Sequence, residues 1–412
     1  LMREFIRAMR EAGRVQEVFA PCSTRFEAAK MAAATDDLLF FHDLEGHQAV
    51  ANLTADRGSL ALALGLTPEE MVPRLAKAEY KGVLVEEGPL SLVAPDLAQL
   101  PVLHHYPGDA GHYITAGIVF SSLIGVENAS IHRMLVLDRC HVAARLVEGR
   151  HTHTMLNAAL EAGERLPVAV VIGVHPAVTF ASCTRVPAGK ELAYAAELMG
   201  GELLVHRMGN GVLVPRAEIV LEGSIGPEKA SEGPFVDITG TYDVVREQPV
   251  IEFSGMYLAK DFIYHGILPG GNEHKVLMGA PYEPSIYRAV SAVTGARNVV
   301  LTRGGCGYLH AVIQIRKSTQ GDGKNAIMAA FAAHTSLKHV IVVDEDIDPS
   351  RYEEVEFALA TRVSGDRDIL VVSGVRGSSL DPCQAEDGTN VKVGVDATMP
   401  LGREHEFRRA VW

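Results

Sequence analysis

Cysteine is scarce. The 412-residue chain has five, Cys22, Cys140, Cys183, Cys306 and Cys383, and no two stand as CxxC. An odd, scattered set gives no basis for a disulfide framework and points to a reducing compartment. Long apolar runs are missing too: none approaches the roughly 18 residues of a transmembrane helix. The opening Met2-Arg3-Glu4-Phe5 lacks the apolar region of a signal peptide. A cytoplasmic location with no membrane partner is therefore expected. Basic charge is short as well, with 38 Lys+Arg against 51 Asp+Glu and a net charge of −13. A chain this acidic, with no basic run, repels phosphate backbones, which argues against nucleic acid as a partner. The common motifs are absent: there is no P-loop, no HExxH and no GxGxxG behind a strand.

What is present is a globular composition, 47% hydrophobic and 22% charged. At roughly 100–200 residues per domain, the length predicts two or three domains. Residues 1–105 read as an α/β domain. Phe5, Ile6, Met9 and Ala12 recur at helical spacing before Gly13, and Thr67-Pro68-Glu69-Glu70 is a helix start with Thr67 as N-cap. Residues 106–290 are richer in strands: 168–172, 217–223 and 250–258, with helices at 152–161 and 190–199. Many strands bounded by turns predict a barrel-like or sandwich-like β core. Over residues 291–412 the α/β rhythm returns, with strands at 299–301, 311–315, 339–343 and 369–372 and helices at 325–333 and 352–360. The tail 403–412 is short and charged, and Pro269-Gly270-Gly271 reads as an exposed loop.

The informative residues are polar ones in apolar surroundings. Arg133 adjoins the strand-like 134–137 run. Buried there, its guanidinium needs a carboxylate or a bound anion; otherwise it faces solvent or forms a structural ion pair. His151 and His153 stand at i,i+2, which on a strand puts both on one side, where a metal is conceivable and a plain surface pair equally so. Glu191 opens a helix, where a first-turn carboxylate is favoured by the dipole alone. Glu232 and Asp237 flank a stiff Gly233-Pro234-Phe235 turn. Such a turn can hold a carboxylate in a dry environment, the condition that suits a general acid to neutral pH, or it can be a plain surface loop. Gly304-Gly305-Cys306-Gly307 lacks the Lys-Ser/Thr of a phosphate loop and is either a ligand contact or an ordinary turn.

Taken in order, Asn128-x-Ser130-x-x-Arg133, His151, Glu191, and Glu232-Gly-Pro-Phe-x-Asp237 with Thr239-Gly240-x-Tyr242 resemble the UbiD-type decarboxylases. The strand segments 171–177 (VIGVHPA) and 217–223 (AEIVLEG) fit the same family, as do 342–348 and 380–382. The resemblance implies a mixed α/β (α+β) fold with an N-terminal α/β domain, a central split β-barrel of flavin-reductase type, and a C-terminal α/β domain with an oligomerisation role. It implies prenylated FMN as cofactor, Mn²⁺ (or Mg²⁺) held by Asn128, His151 and Glu191, and a neighbouring K⁺ or Na⁺. Amide oxygen, imidazole and carboxylate are a mixed ligand set suited to those divalent ions. Cofactor contacts carry over onto Asn128, Ser130, Ile131, His132, Arg133, Arg150, His151, Ser182, Cys183 and Glu191. The catalytic set carries over onto Arg133, Glu232 and Asp237, with Arg133 binding the substrate carboxylate and Glu232 giving the proton. The sequence departs from the family at Val236, where glycine is usual. Valine disfavours positive φ and adds bulk beside the acids.

The reaction so implied is a non-oxidative, reversible decarboxylation of an α,β-unsaturated or (hetero)aromatic acid. A phosphorylated short enoic acid, of the anhydromevalonate phosphate type handled by similar compact archaeal members, fits as well. Arg303 and His310 flank the glycine-rich turn and could read a second anionic group. A homodimer or homohexamer is expected, with a flavin prenyltransferase as cofactor supplier. Two other classes compete: an FMN oxidoreductase on a similar barrel, which lacks a dinucleotide fingerprint here, and a non-catalytic cofactor-binding subunit, which would not need both acids.

Overall fold

The amphipathic spacing at the start of the chain folds as a helix, Met2–Glu11, that buries Phe5, Ile6 and Met9. The computed structural model describes residues 1–410, so Val411 and Trp412 of the charged tail lie outside the described residues. The helix packs on Leu38, Phe40, Val50 and Ile263. Those residues belong to a four-stranded sheet ordered Val15–Val18, Leu38–Leu44, His47–Ala51, Ile263–His265. Its last strand arrives from far along the chain and pairs in parallel, Ile263 opposite Gln48 and His265 opposite Val50. The first compact unit accordingly spans Leu1–Leu66 and Ala78–Leu277.

The centre of this unit is an eight-stranded sheet curled into a half-barrel, every pair antiparallel. Its order is Tyr113–Ile114, Met134–Val136, His141–Ala144, Arg246–Leu258, Ile219–Glu232, Leu166–Ile172, Ile118–Leu123, Val126–Ile131. The apolar run 168–172 is fully buried because its strand lies between two others in this sheet. The two long strands Ile219–Glu232 and Arg246–Leu258 shift register after Glu222 and again after Ile225. Such bulges bend a strand, and the ladder ends with Glu232 opposite Arg246. A short pairing, Phe235–Val236 with Tyr242–Asp243, follows.

Over the described residues, the second unit spans Thr67–Lys77 and Met278–Ala410. It holds a five-stranded sheet ordered Gly295–Leu301, His310–Arg316, His339–Val343, Thr389–Ala397, Ile369–Arg376. The helix Pro68–Leu75 starts as predicted, with Thr67 accepting from the Glu70 N–H, and its Val72 joins the core of Ile286 and Val290. The acids that follow His339–Val343 neutralise a buried cation, because Arg362 donates to Asp344 at 2.9 Å and to Asp346 at 2.6 Å. Two expectations need correction. Pro269-Gly270-Gly271 is not exposed; Pro269 is buried and its carbonyl accepts from the Tyr106 hydroxyl at 2.9 Å. His151 and His153 are not on a strand: Gly149 turns the chain at φ +73° and His151 begins the helix His151–Glu161. Among the described residues, no helix is long and apolar enough to cross a membrane.

Candidate active site

Arg133 sits between Val126–Ile131 and Met134–Val136 and gathers three carboxylates. Its Nε donates to Glu232 Oε1 at 2.9 Å and its Nη2 to Glu232 Oε2 at 2.9 Å. Nη1 donates to Asp237 Oδ2 at 3.2 Å, and Nη2 also to Asp243 Oδ2 at 2.9 Å. The Phe235 ring covers the guanidinium, 5.0 Å from centroid to Cζ. Glu232 is sealed, with 0% of its side chain exposed. A carboxylate so buried is tolerable because it is paired and hydrogen-bonded. Its Oε1 also accepts from the Tyr113 hydroxyl at 3.1 Å, and that hydroxyl accepts the Gly233 N–H at 3.1 Å. Burial, reinforced by the Glu232 charge, raises the Tyr113 pKa, so the phenol keeps its proton. Burial works against the Arg133 charge, but Glu232, Asp237 and Asp243 outweigh it and hold its pKa above the ordinary value. Asp243 shows the same contest: burial pushes it up, and Arg246 with Arg133 brings it below the usual carboxylate range.

The departure at Val236 is absorbed by the backbone. The positive φ of the turn falls on Gly233, at +97°, where an added Cβ would meet the Val244 carbonyl at 3.0 Å. Val236 lies in the short strand, buried, and its N–H donates to Asp109 Oδ1 at 3.3 Å. Side chains alternate along a strand, so with Phe235 on Arg133, Val236 faces away from the guanidinium.

A second group of polar residues lies on Val126–Ile131 and the helices that follow. Asn128 is buried and its Nδ2 donates to Thr152 Oγ1 at 3.0 Å and, longer, to Ser130 Oγ at 3.5 Å. That leaves the amide oxygen as the ligand-type atom. Thr152 neighbours His151, whose Nδ1 is 3.3 Å from Glu191 Oε1. Glu191 opens the helix Glu191–Leu198, is buried, and has an Oε2 with no hydrogen-bond partner among the described residues. Burial raises its pKa. An orphaned, buried carboxylate oxygen beside an imidazole is a start on the donor set a divalent cation needs, and the Asn128 amide, bonded to Thr152 next to His151 in the chain, is of the right chemistry to add to it, so these residues fit the expected ion. His153 takes no part, its Nδ1 being 3.4 Å from Asn157 Nδ2.

The other expected cofactor contacts are distributed as follows. His132 Nε2 is 2.8 Å from Ser130 Oγ and its Nδ1 2.9 Å from the Arg145 carbonyl. Burial lowers its pKa to about 4, which keeps the ring neutral. Arg150 is the N-cap residue of the His151–Glu161 helix. Ser182 donates to the Val178 carbonyl at 2.9 Å inside Pro176–Cys183. Ile131 and Cys183 pack with Ala116, Ile267 and Leu277 in one apolar cluster. In the second unit, His310 Nδ1 is 2.8 Å from Thr302 Oγ1, across the turn that carries Arg303. Sequence reasoning missed Tyr113, Asp109 and Asp243. Tyr113 left no signal, being remote in sequence from Glu232. Asp243 was visible, directly after Tyr242 of the Thr239-Gly240-x-Tyr242 motif.

Comparison with known proteins gives the family. The chain matches the models of the 3-octaprenyl-4-hydroxybenzoate carboxy-lyase N-terminal domain over residues 6–79, its Rift-related domain over 82–272 and its C-terminal domain over 275–397. The chain belongs to the UbiD family and is a decarboxylase, a carboxy-lyase. Among individual relatives, it is 52% identical over 415 residues to the anhydromevalonate phosphate decarboxylase of Methanosarcina mazei, covering 99% of this chain and 98% of that one. It is 53% identical over 367 residues to the enzyme of the same name from Archaeoglobus fulgidus, covering 88% and 85%. Among solved structures, the UbiD-class enzyme HmfF from Pelotomaculum thermopropionicum in complex with FMN superposes with a TM-score of 0.95 at 35% identity, covering 100% of this chain and 97% of that one.

Proposed function

We propose that this chain decarboxylates anhydromevalonate phosphate, using prenylated FMN. The single observation that carries the chemistry is Glu232, sealed from solvent and clamped on both oxygens by Arg133. The choice of substrate is supported by identity above one half, along nearly the whole chain, to a decarboxylase of that acid. When bound, prenylated FMN supplies the electron sink that lets the carbon–carbon bond to CO₂ break. The residues do the rest. Arg133 binds the substrate carboxylate; Glu232, whose ion-paired form carries no proton, takes one up from solvent water before each turnover and delivers it to the carbon that CO₂ leaves; and Asp237 tunes the pair. Asn128, His151 and Glu191 would hold Mn²⁺ (or Mg²⁺), which together with K⁺ or Na⁺ would supply positive charge for binding the anionic flavin, and Ser130, Ile131, His132, Arg150, Ser182 and Cys183 would contact the flavin. We assign cofactor binding to residues 106–290 and oligomerisation, as a homodimer or homohexamer, to residues 291–412. The cytoplasm is the proposed location, and a flavin prenyltransferase the supplier of the cofactor.

The test is CO₂ release under nitrogen by protein co-expressed with a flavin prenyltransferase. Anhydromevalonate phosphate, its dephosphorylated acid, and a set of furan, pyrrole and benzoic acids are offered in parallel. Turnover of the phosphorylated acid, with the dephosphorylated one far poorer, is expected. Turnover confined to the aromatic acids would move the substrate class, and no CO₂ from any of them would overturn the reading.

A further inference from the structure

An arginine side chain has five N–H donors, and in this structure Arg133 has given out four. Glu232 takes two, Asp237 one and Asp243 one. A carboxylate is recognised best by two parallel N–H groups, so an incoming acid cannot dock in that way until one resident carboxylate withdraws. Glu232 is fixed by its double bond to Arg133, by Tyr113 and by complete burial. Asp237 takes the N–H of Ile238 at 2.6 Å through Oδ1, and among the described residues Arg133 is its one cation within ion-pair distance. Asp243 differs. The Oδ2 that meets Arg133 also takes Arg246 Nη1 at 2.6 Å, and its Oδ1 accepts the Val244 N–H at 2.9 Å. Released by Arg133, Asp243 still has a cation and a backbone donor, whereas Asp237 would lose the cation it pairs with.

We propose that Asp243 is a placeholder for the substrate carboxylate: it occupies Arg133 in the free enzyme and steps aside onto Arg246 when the acid binds. This rests on the decarboxylase reading above. The withdrawal returns one Nη2 N–H, so that with the unused Nη1 N–H two of the five donors are open to the incoming acid. It leaves the Glu232 clamp untouched, so the acid arrives beside the proposed proton donor without disturbing it. Asp243 is thus a positioning residue that sets how tightly the carboxylate is held.

The alternative is that Asp243 only staples the Phe235–Val236 and Tyr242–Asp243 pairing. Calorimetric titration of the flavin-loaded protein with crotonate, a bare unsaturated carboxylate, separates the two. Asp243→Asn is expected to bind crotonate about tenfold more tightly than wild type, because a charge-assisted competitor is gone. Asp243→Glu restores the wild-type affinity. Arg246→Gln acts in the opposite sense, weakening crotonate several-fold by leaving Asp243 with Arg133 alone. With anhydromevalonate phosphate, Asp243→Asn lowers KM. Unchanged or weaker crotonate binding by Asp243→Asn, or a fall in kcat with KM unmoved, overturns the placeholder and leaves the staple. Failure of the wild type to release CO₂ counts against the decarboxylase reading, and the calorimetric comparison still decides the role of Asp243.

Discussion

Glu232 and Arg133 depend on each other in both directions. The carboxylate can be fully buried only because the guanidinium is there, and the guanidinium is held by the acid it serves. Glu232→Gln keeps the shape and loses the exchangeable acid proton. It is expected to lower decarboxylation by at least about a hundredfold while flavin stays bound, as read from CO₂ release and the visible spectrum. Full turnover by purified Glu232→Gln protein would remove Glu232 from the role of donor. Arg133→Ala leaves a sealed carboxylate without its cation, a change of about 3–5 kcal/mol in unfolding free energy. Urea denaturation checks that, and a loss below about 1 kcal/mol would mean the cluster rearranges freely. The need of Arg133 for an anionic partner was legible from its place beside an apolar strand run, but its pairing with Glu232 and Asp237 was implied only by the resemblance to the UbiD-type decarboxylases. Tyr113 was not legible, since nothing near it in the chain marks it as a partner of a turn so distant.

The site is delivered by short elements, and turns decide where they begin. Gly149 is the clearest case. Its φ of +73° ends the preceding segment, and a Cβ there would meet nothing within 4 Å. Any effect of Gly149→Ala is therefore conformational: about 1 kcal/mol of stability, with displacement of the first turn of the His151–Glu161 helix. We expect weaker Mn²⁺-dependent retention of flavin, measured by dialysis with and without the ion, and a melting point lowered by only a few degrees. Retention equal to wild type would show that the helix start is not set by this turn. The same turn explains why the strand assignment for His151 and His153 failed. An i,i+2 pair carries no period of its own, and a single glycine in the left-handed region switches the element. Strong periodicity did better: the helix Met2–Glu11 and the buried strand Leu166–Ile172 follow directly from their apolar spacing.

Across the whole molecule, several buried or half-buried histidines are held as neutral rings. Burial lowers His105 to about 3, and His132, His175 and His310 to about 4 each. Neither ring nitrogen of His105 has a hydrogen-bond partner among the described residues. In the unfolded chain these rings titrate near 6.5, so below that pH the unfolded state binds more protons. Stability is therefore complete above about pH 6.5 and declines as pH falls toward the folded values. Each ring adds up to ~1.4 kcal/mol per pH unit within that window. Melting temperatures measured from about pH 7.5 to 5 should fall, and His105→Leu should flatten part of the slope. An unchanged slope would mean the ring is protonated in the native state. Long-range pairings were the least legible feature. The strand Ile263–His265 and the helix Pro68–Leu75 each look ordinary locally, and only the folded chain shows which distant segments they join. For the helix this bears on synthesis. It leaves the ribosome early, yet the residues that bury its Val72 lie at 286 and 290. At translation rates of about 5–20 residues per second, its apolar side waits on the order of ten seconds or more for cover, an interval in which a nascent-chain chaperone has something to hold.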